Sequence, residues 1–313
     1  MPTWDTEGLL PKNEDARTAR YRRLQSWYRE VVMEASAGDY REYKPLGSYL
    51  DPSEVERDRS LNFIHPEAHA HAEQRAVEVQ AEGGTLSVPR LFHNMLSSMP
   101  MCFNLFGAMR AEPEFLEVFR SLFDSEATAI REIVCEWAPP EPALRLGDHS
   151  AFDAVVHYEA DGERRFVGIE TKYTEPFSRK DYDRPRYREV TSDSGWFVSA
   201  ESADRLKASA TNQLWRTTLL AAAADGSAEY GRGSVAVVAL SDDRSAGTTV
   251  DAVRAEFSPA RADRLRFVTI ESILDAADGI ESLAGWSRTF RRRYVDHQRP
   301  DEWASQQNPP AGD

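Results

Sequence analysis

The 313-residue chain predicts an α/β (α+β) fold, a mixed central sheet with helices on both faces. Three observations carry this expectation. The strand-like segments AFDAVVHYEA (151–160) and ERRFVGIETKY (163–173) flank Asp161-Gly162, a dipeptide suited to the two positive-φ positions of a tight hairpin. The run SVAVVAL (234–240) is continuously apolar, as in a strand buried on both faces. Between them SADRLKASATNQLWRTTLLAAAA (202–224) reads as one long helix, the kind of crossover that leads to such a strand.

The remaining elements follow from local signals. Residues 13–37 read as a helix with a basic first half (Arg17, Arg20, Arg22, Arg23), and residues 38–64 as irregular chain. Residues 65–84 read as a helix with Pro66 in its first turn and Gly83-Gly84 as its stop. Residues 89–109 are apolar on most sides, predicting a buried helix kinked at Pro100, and residues 112–123 predict an amphipathic helix. AIREIVCEW (129–137) is the first strand, LRFVTI (265–270) the last, and residues 280–298 a terminal helix. The expected organisation is a helical extension over 1–88, a sheet-centred domain over 89–298 and a flexible tail over 299–313.

Composition narrows the function. Hydrophobic residues make up 41%, and no run approaches the roughly 18 apolar residues that span a bilayer. The opening MPTWDTEGLLPKNEDARTARYRR lacks the order of a signal peptide. Cys102 and Cys135 lie in apolar surroundings and read as reduced, buried thiols, so a cytoplasmic protein with no membrane association is expected. Net charge is 38 − 52 = −14, so any nucleic-acid contact must rest on local basic patches. The absence of G-x-x-x-x-G-K-[ST], G-x-S-x-G and paired C-x-x-C motifs leaves NTPase, serine-hydrolase and zinc-ribbon readings without support.

The hairpin turn acts as a ruler. With Asp161 and Gly162 as the two loop residues, paired positions sum to 323, and Asp153 falls directly opposite Glu170. Lys172 lies two positions on and faces the same way. The other face collects Phe152, Ala154, Val156 and Tyr158 against Val167 and Ile169. Two opposed carboxylates repel, and a divalent cation resolves the conflict. Mg²⁺ or Mn²⁺ on Asp153 and Glu170, with Lys172 offsetting charge on a phosphate, fits metal-assisted hydrolysis of a phosphodiester.

Asp153, the gap of sixteen residues, and Glu170-Thr171-Lys172 on consecutive hairpin strands resemble the PD-(D/E)XK nuclease superfamily, whose restriction-endonuclease-like core runs αβββαβ. The resemblance spans about residues 89–241 and is in particular to bacterial restriction endonucleases, through SSMPMCFNLFG and IETKYTE. It implies Asp153 and Glu170 as metal ligands, Lys172 as catalytic lysine, Gln213 as an assisting polar residue and Glu175 as an extension of the acidic cluster. It implies a DNA endonuclease of restriction or defence type acting on double-stranded DNA, and it is compatible with a homodimer. Phe152 stands where the family has proline, and for the acid of the first core helix Glu114, Glu117 and Glu136 all remain open. The alternative is a catalytically inactive nucleic-acid-binding or regulatory module on the same scaffold.

SRKDYDRPRYREV (178–190) carries Arg179, Lys180, Arg184, Arg186 and Arg188 directly after the E-x-K strand. It reads either as a phosphate-contacting loop or as a solvated, salt-bridged surface. Tyr182 and Tyr187 within it suit base stacking or local packing equally. RTFRRRY (288–294) is a second basic patch. His65, His69 and His71 lack the companions of a metal motif and read as a solvated helix face.

Overall fold

The Asp161-Gly162 turn forms as its sequence dictates. Both residues have positive φ (52° and 75°), which a type I′ turn requires, and Ala160 pairs with Glu163. The same sum holds down the ladder to Ala154 and Ile169, so the predicted register is the observed one. The computed structural model describes residue 4, residues 9–11 and residues 13–307.

Five strands form one sheet in sequential order: β1 (Ala127–Trp137), β2 (Phe152–Ala160), β3 (Glu163–Lys172), β4 (Arg232–Ala239) and β5 (Leu265–Thr269). β1, β2 and β3 are antiparallel, whereas β4 and β5 run parallel to β3. Before the sheet come α1 (Ala16–Trp27), α2 (Pro52–Arg57), α3 (Pro66–Ala81), α4 (Val88–His93), α5 (Ser98–Cys102) and α6 (Phe115–Leu122). The crossover to β4 contains α7 (Pro185–Asp193), α8 (Ser202–Leu206) and α9 (Asn212–Ala224), and that to β5 contains α10 (Arg244–Arg254). The chain continues through α11 (Ile270–Asp278), α12 (Glu281–Tyr294) and α13 (Arg299–Gln307).

Strand alternation divides the interior into two apolar layers. Ala154, Val156, Val167, Ile169 and Val238 pack with Met101, Phe119, Ile273 and Phe290. Val155, Phe166, Val235 and Val237 pack with Val190, Trp215, Leu219 and Val250. Tyr21, Leu24 and Trp27 of α1 belong to the first layer. α1 also braces the end of β3: Arg17 donates to the Tyr173 carbonyl (2.7 Å) and pairs with Asp242 (2.8 Å), and the Gln25 amide donates to the Tyr173 hydroxyl (3.0 Å).

Several expectations are corrected. Phe152 does not join Ala154; it packs in the second layer, stacked on Trp137 at 6.1 Å. Glu136 has a φ of 53°, and Trp137 beyond it packs on the layer opposite Cys135. Phe152 gains its space because Gly168 has no side chain: a Cβ there would clash with three carbons of the phenyl ring. The predicted helix over 202–224 is broken between α8 and α9. The Thr211 hydroxyl donates to the Leu206 carbonyl and the Asn212 amide to that of Lys207, occupying acceptors that a continuous helix would use. The helix over 89–109 breaks at 94–97, not at Pro100, which sits in the first turn of α5 where its missing N–H is harmless. The helix over 13–37 passes into a π-turn at Tyr28–Val32. Within the expected tail, residues 299–307 form α13, and Asp301 pairs with Arg23 (2.7 Å); residues 308–313 lie outside the described residues.

Two consequences can be measured. Gly168→Ala should destabilise the fold by about 1–3 kcal/mol through overpacking against Phe152, read as a lowered urea midpoint. Burial pushes His157 down to about 4, and burial aided by Arg110 and Arg75 pushes His71 down to about 3. Both rings stay neutral in the fold but take a proton in the unfolded chain near pH 6.5. Their contribution is complete above that pH and declines as pH falls towards 4 and then 3. The drop in urea midpoint between pH 7 and 5 should therefore be smaller in His157→Phe than in the wild type.

Candidate active site

The even-numbered residues of β3 face α9. Beyond Phe166 and Gly168 come Glu170 and Lys172, only 3% and 5% exposed and paired at 2.9 Å. The start of α9 supplies their partners. The Gln213 amide donates to one Glu170 oxygen (2.5 Å), and the Thr217 hydroxyl, one turn on, donates to the other (3.0 Å). The Gln213 carbonyl oxygen accepts from the Ser178 N–H (2.6 Å) and from Lys172 Nζ (3.3 Å). The Lys172 ammonium also lies 4.6 Å from the centre of the Phe177 ring.

Asp153 joins this group from β2. Its Oδ2 accepts from the Thr171 N–H (2.7 Å) and Oγ1 (2.9 Å), and its own carbonyl accepts from Cys102 Sγ (3.3 Å). Burial, followed by the charge of Glu170, raises the Asp153 carboxyl above the usual carboxylate range, against the pull of Lys172 and Thr171. Burial alone would lower Lys172, yet Glu170 and Asp153 more than offset it and hold the ammonium charged.

Glu136 is the third acid. Cys135 pairs with Ala154 and Trp137 with Phe152, so Glu136 on β1 comes level with Asp153. Burial and then Asp153 raise its carboxyl as well. Glu114 and Glu117 are exposed at the start of α6. The sequence left this choice open because the connection from 138 to 151 has no tight turn to fix a register, and β1 carries two irregularities.

Asp153, Glu170, Lys172 and Gln213 thus converge, whereas Glu175 is engaged elsewhere. It accepts from Arg90 (2.8 Å) and from the Ser98 N–H (2.9 Å) and hydroxyl (2.6 Å), tying the end of β3 to α4 and α5. Burial opposes its ionisation, but Arg90 and Ser98 prevail and hold its carboxyl below the usual range.

The basic segment divides. Arg184 and Arg186 donate to the carbonyls of Gly147 (2.6 Å) and Ala143 (2.9 Å), and Arg188 pairs with Asp183 (2.6 Å) and Asp204 (3.0 Å). Arg179 and Lys180 are exposed, with no side-chain partner among the described residues. In the second patch Arg291 pairs with Asp275 (2.6 Å) and Asp278 (2.9 Å), and Arg293 is buried against Asn62. The histidines are structural. His65 caps α3 and His69 pairs with Glu73 (3.3 Å), while His71 is buried, not solvated, and accepts from the Cys135 N–H (2.9 Å).

Two openings lie on either side of the elements that carry the site, and neither is lined by Asp153, Glu170, Lys172 or Gln213. A cavity of about 180 Å³ is lined by Glu136, Asp148, Ser150 and Arg216, and a cleft of about 860 Å³ runs from Arg90 and Glu175 to Arg22 and Tyr43.

A five-stranded mixed sheet with a hairpin-borne Asp, Glu and Lys facing a crossover helix defines a nuclease-type α/β scaffold. The chain belongs to the PD-(D/E)XK nuclease superfamily, whose family profile matches residues 12–296. No curated protein and no solved structure matches it. No helix among the described residues is long and apolar enough to cross a membrane. Nucleases of this superfamily generally use divalent metals. Among the described residues no three His, Cys, Asp or Glu side chains already stand as a ligand group. Mg²⁺ needs only one or two carboxylates beside water and phosphate, and the hard oxygens of Asp153 and Glu170 meet that need. A carboxylate has about four lone-pair positions, and Gln213, Thr217 and Lys172 occupy three of those of Glu170, leaving about one for a cation.

Glu175→Ala would leave Arg90 and two Ser98 donors without their acceptor. It should destabilise the fold by about 2 kcal/mol, measured by urea denaturation, with Glu175→Gln costing less.

Proposed function

We propose that the protein is a metal-dependent DNA endonuclease of restriction or defence type, working in the cytoplasm on double-stranded DNA. The observation that supports this best is the meeting of Asp153 from β2 with Glu170 and Lys172 from β3 beside Gln213. Asp153 and Glu170 would hold Mg²⁺ or Mn²⁺, which when bound supplies Lewis-acid charge at the phosphate and a more acidic water.

The chain's own groups do the rest. Lys172 keeps its proton at Nζ because two carboxylates flank it. As an ammonium it donates only, so it orients the attacking water by a lone pair and offsets charge growing on the phosphate oxygens. Gln213 fixes the Glu170 oxygen and the Ser178 N–H together, holding the basic segment over the strand. Arg179 and Lys180 are the cations most available to flanking phosphates, with Arg184, Arg186 and Arg188 behind them. Water attacks phosphorus in line with the leaving oxygen; the P–O ester bond breaks with its electron pair going to that oxygen, and the proton lost by the attacking water reaches the leaving oxygen through solvent.

Plasmid cleavage with Mg²⁺ or Mn²⁺ tests the proposal. The wild type should cut, EDTA should stop it, and Lys172→Ala or Asp153→Ala should each reduce the rate by roughly 100-fold or more. Cleavage unchanged in either variant rejects the assignment. No cleavage, together with no rise in melting temperature at millimolar Mg²⁺ or Mn²⁺, favours the inactive binding or regulatory module.

A further inference from the structure

The two tyrosines of the basic segment have different fates. Tyr187 is buried edge-on against Trp215 at 5.6 Å and bonded to Asp148. Tyr182 is 36% exposed, the one aromatic among the exposed large hydrophobic side chains of the described residues. Its ring carries the Arg216 guanidinium at 4.7 Å from its centre. Arg216 is in turn held by the Ser150 hydroxyl (3.0 Å) and lies 3.7 Å from Asp148.

The backbone beneath this pair is clamped. Asn212, fully buried, accepts from the Tyr182 N–H (3.2 Å) and donates to the Tyr182 carbonyl (2.9 Å) and to that of Lys207 (2.9 Å). A single side chain thus pairs with both backbone groups of Tyr182, as a neighbouring strand would. The next residue, Gln213, binds Ser178 and Glu170. Two adjacent residues of α9 therefore fix residues 178 and 182 relative to the carboxylate site. Arg216, one turn from Gln213, lines the 180 Å³ cavity that also touches Glu136.

We infer that Tyr182 and Arg216 form a platform beside the Glu170 site on which one unpaired nucleobase stacks while the guanidinium takes its phosphate. An aromatic ring on a fixed backbone accepts any base face without an ordering cost, and the guanidinium supplies local positive charge to a chain of net −14. A base must leave the duplex to reach such a ring. The platform therefore gives the protein a preference for DNA with an unpaired nucleotide beside the cut phosphate. This rests on the nuclease reading for its choice of ligand.

The test is fluorescence anisotropy of a short labelled single-stranded oligonucleotide and of the matching duplex, in EDTA so that nothing is cut. Tyr182→Ala should weaken single-strand binding by about 10-fold and duplex binding less, while Tyr182→Phe keeps wild-type affinity. Arg216→Gln should reduce the salt slope by about one. Wild-type single-strand binding that is absent, or unchanged in Tyr182→Ala, overturns the platform. So does equal weakening by Tyr182→Phe, or an unchanged salt slope in Arg216→Gln. Cleavage separates the two ideas: a wild type that cuts while Tyr182→Ala binds normally loses only the platform. A wild type that binds through Tyr182 but never cuts with Mg²⁺ or Mn²⁺ keeps the platform and loses the nuclease reading.

Discussion

Glu170 brings a carboxylate into a layer otherwise built from Val155, Phe166, Val237 and Trp215. Leaving such a charge buried and unmatched would cost several kcal/mol, so its neighbours are constrained in kind and position. Lys172 supplies the opposite charge, and Gln213 and Thr217 supply neutral donors from one face of α9. That need sets how far α9 advances along the sheet. Asn212 then falls at Tyr182, and the carbonyl side of the Gln213 amide falls at Ser178. The crossover segment is positioned by the same helix turn that neutralises the strand.

Repulsion among the acids works in the other direction. The carboxyls of Asp153 and Glu136 are both pushed above the usual carboxylate range, because each meets burial and then another carboxylate. Hydrogen bonds from Thr171 to Asp153 recover only part of this. A fold selected for stability alone would have little use for the arrangement, whereas a site that binds a cation gains from it. Glu175 shows the contrast: with Arg90 and Ser98 around it, its charge is settled within the protein and serves to hold α4 and α5 to the end of β3.

The overall charge is similarly divided. Most arginines of the two basic segments are committed to internal acids or carbonyls, as Arg188, Arg291 and Arg293 are. Arg179 and Lys180 are the cations of the first segment left without a side-chain hydrogen bond or ion pair among the described residues, while Arg216 is shared between the Tyr182 ring, Ser150 and Asp148.

The hairpin and the meeting of its acidic and basic side chains were legible in the sequence because the determinants are local. Asp161-Gly162 favours one turn type, the turn sets the register, and the ladder runs to Ala154 and Ile169, the residues next to Asp153 and Glu170. Helix boundaries were less legible: side-chain donors at Thr211 and Asn212 break a pattern that periodicity alone reads as continuous. Glu136 and the separate fates of Tyr182 and Tyr187 were decided by tertiary structure only. Glu136 depends on a strand joined by a long connection without a diagnostic turn, and the tyrosines on how α7 and α9 pack. The sequence by itself thus determined which residues meet across a two-residue turn, where chain geometry allows few alternatives. Which acid joins them, and which ring stays in water, was settled by contacts between segments far apart in the chain, whose relative placement only the packed core specifies.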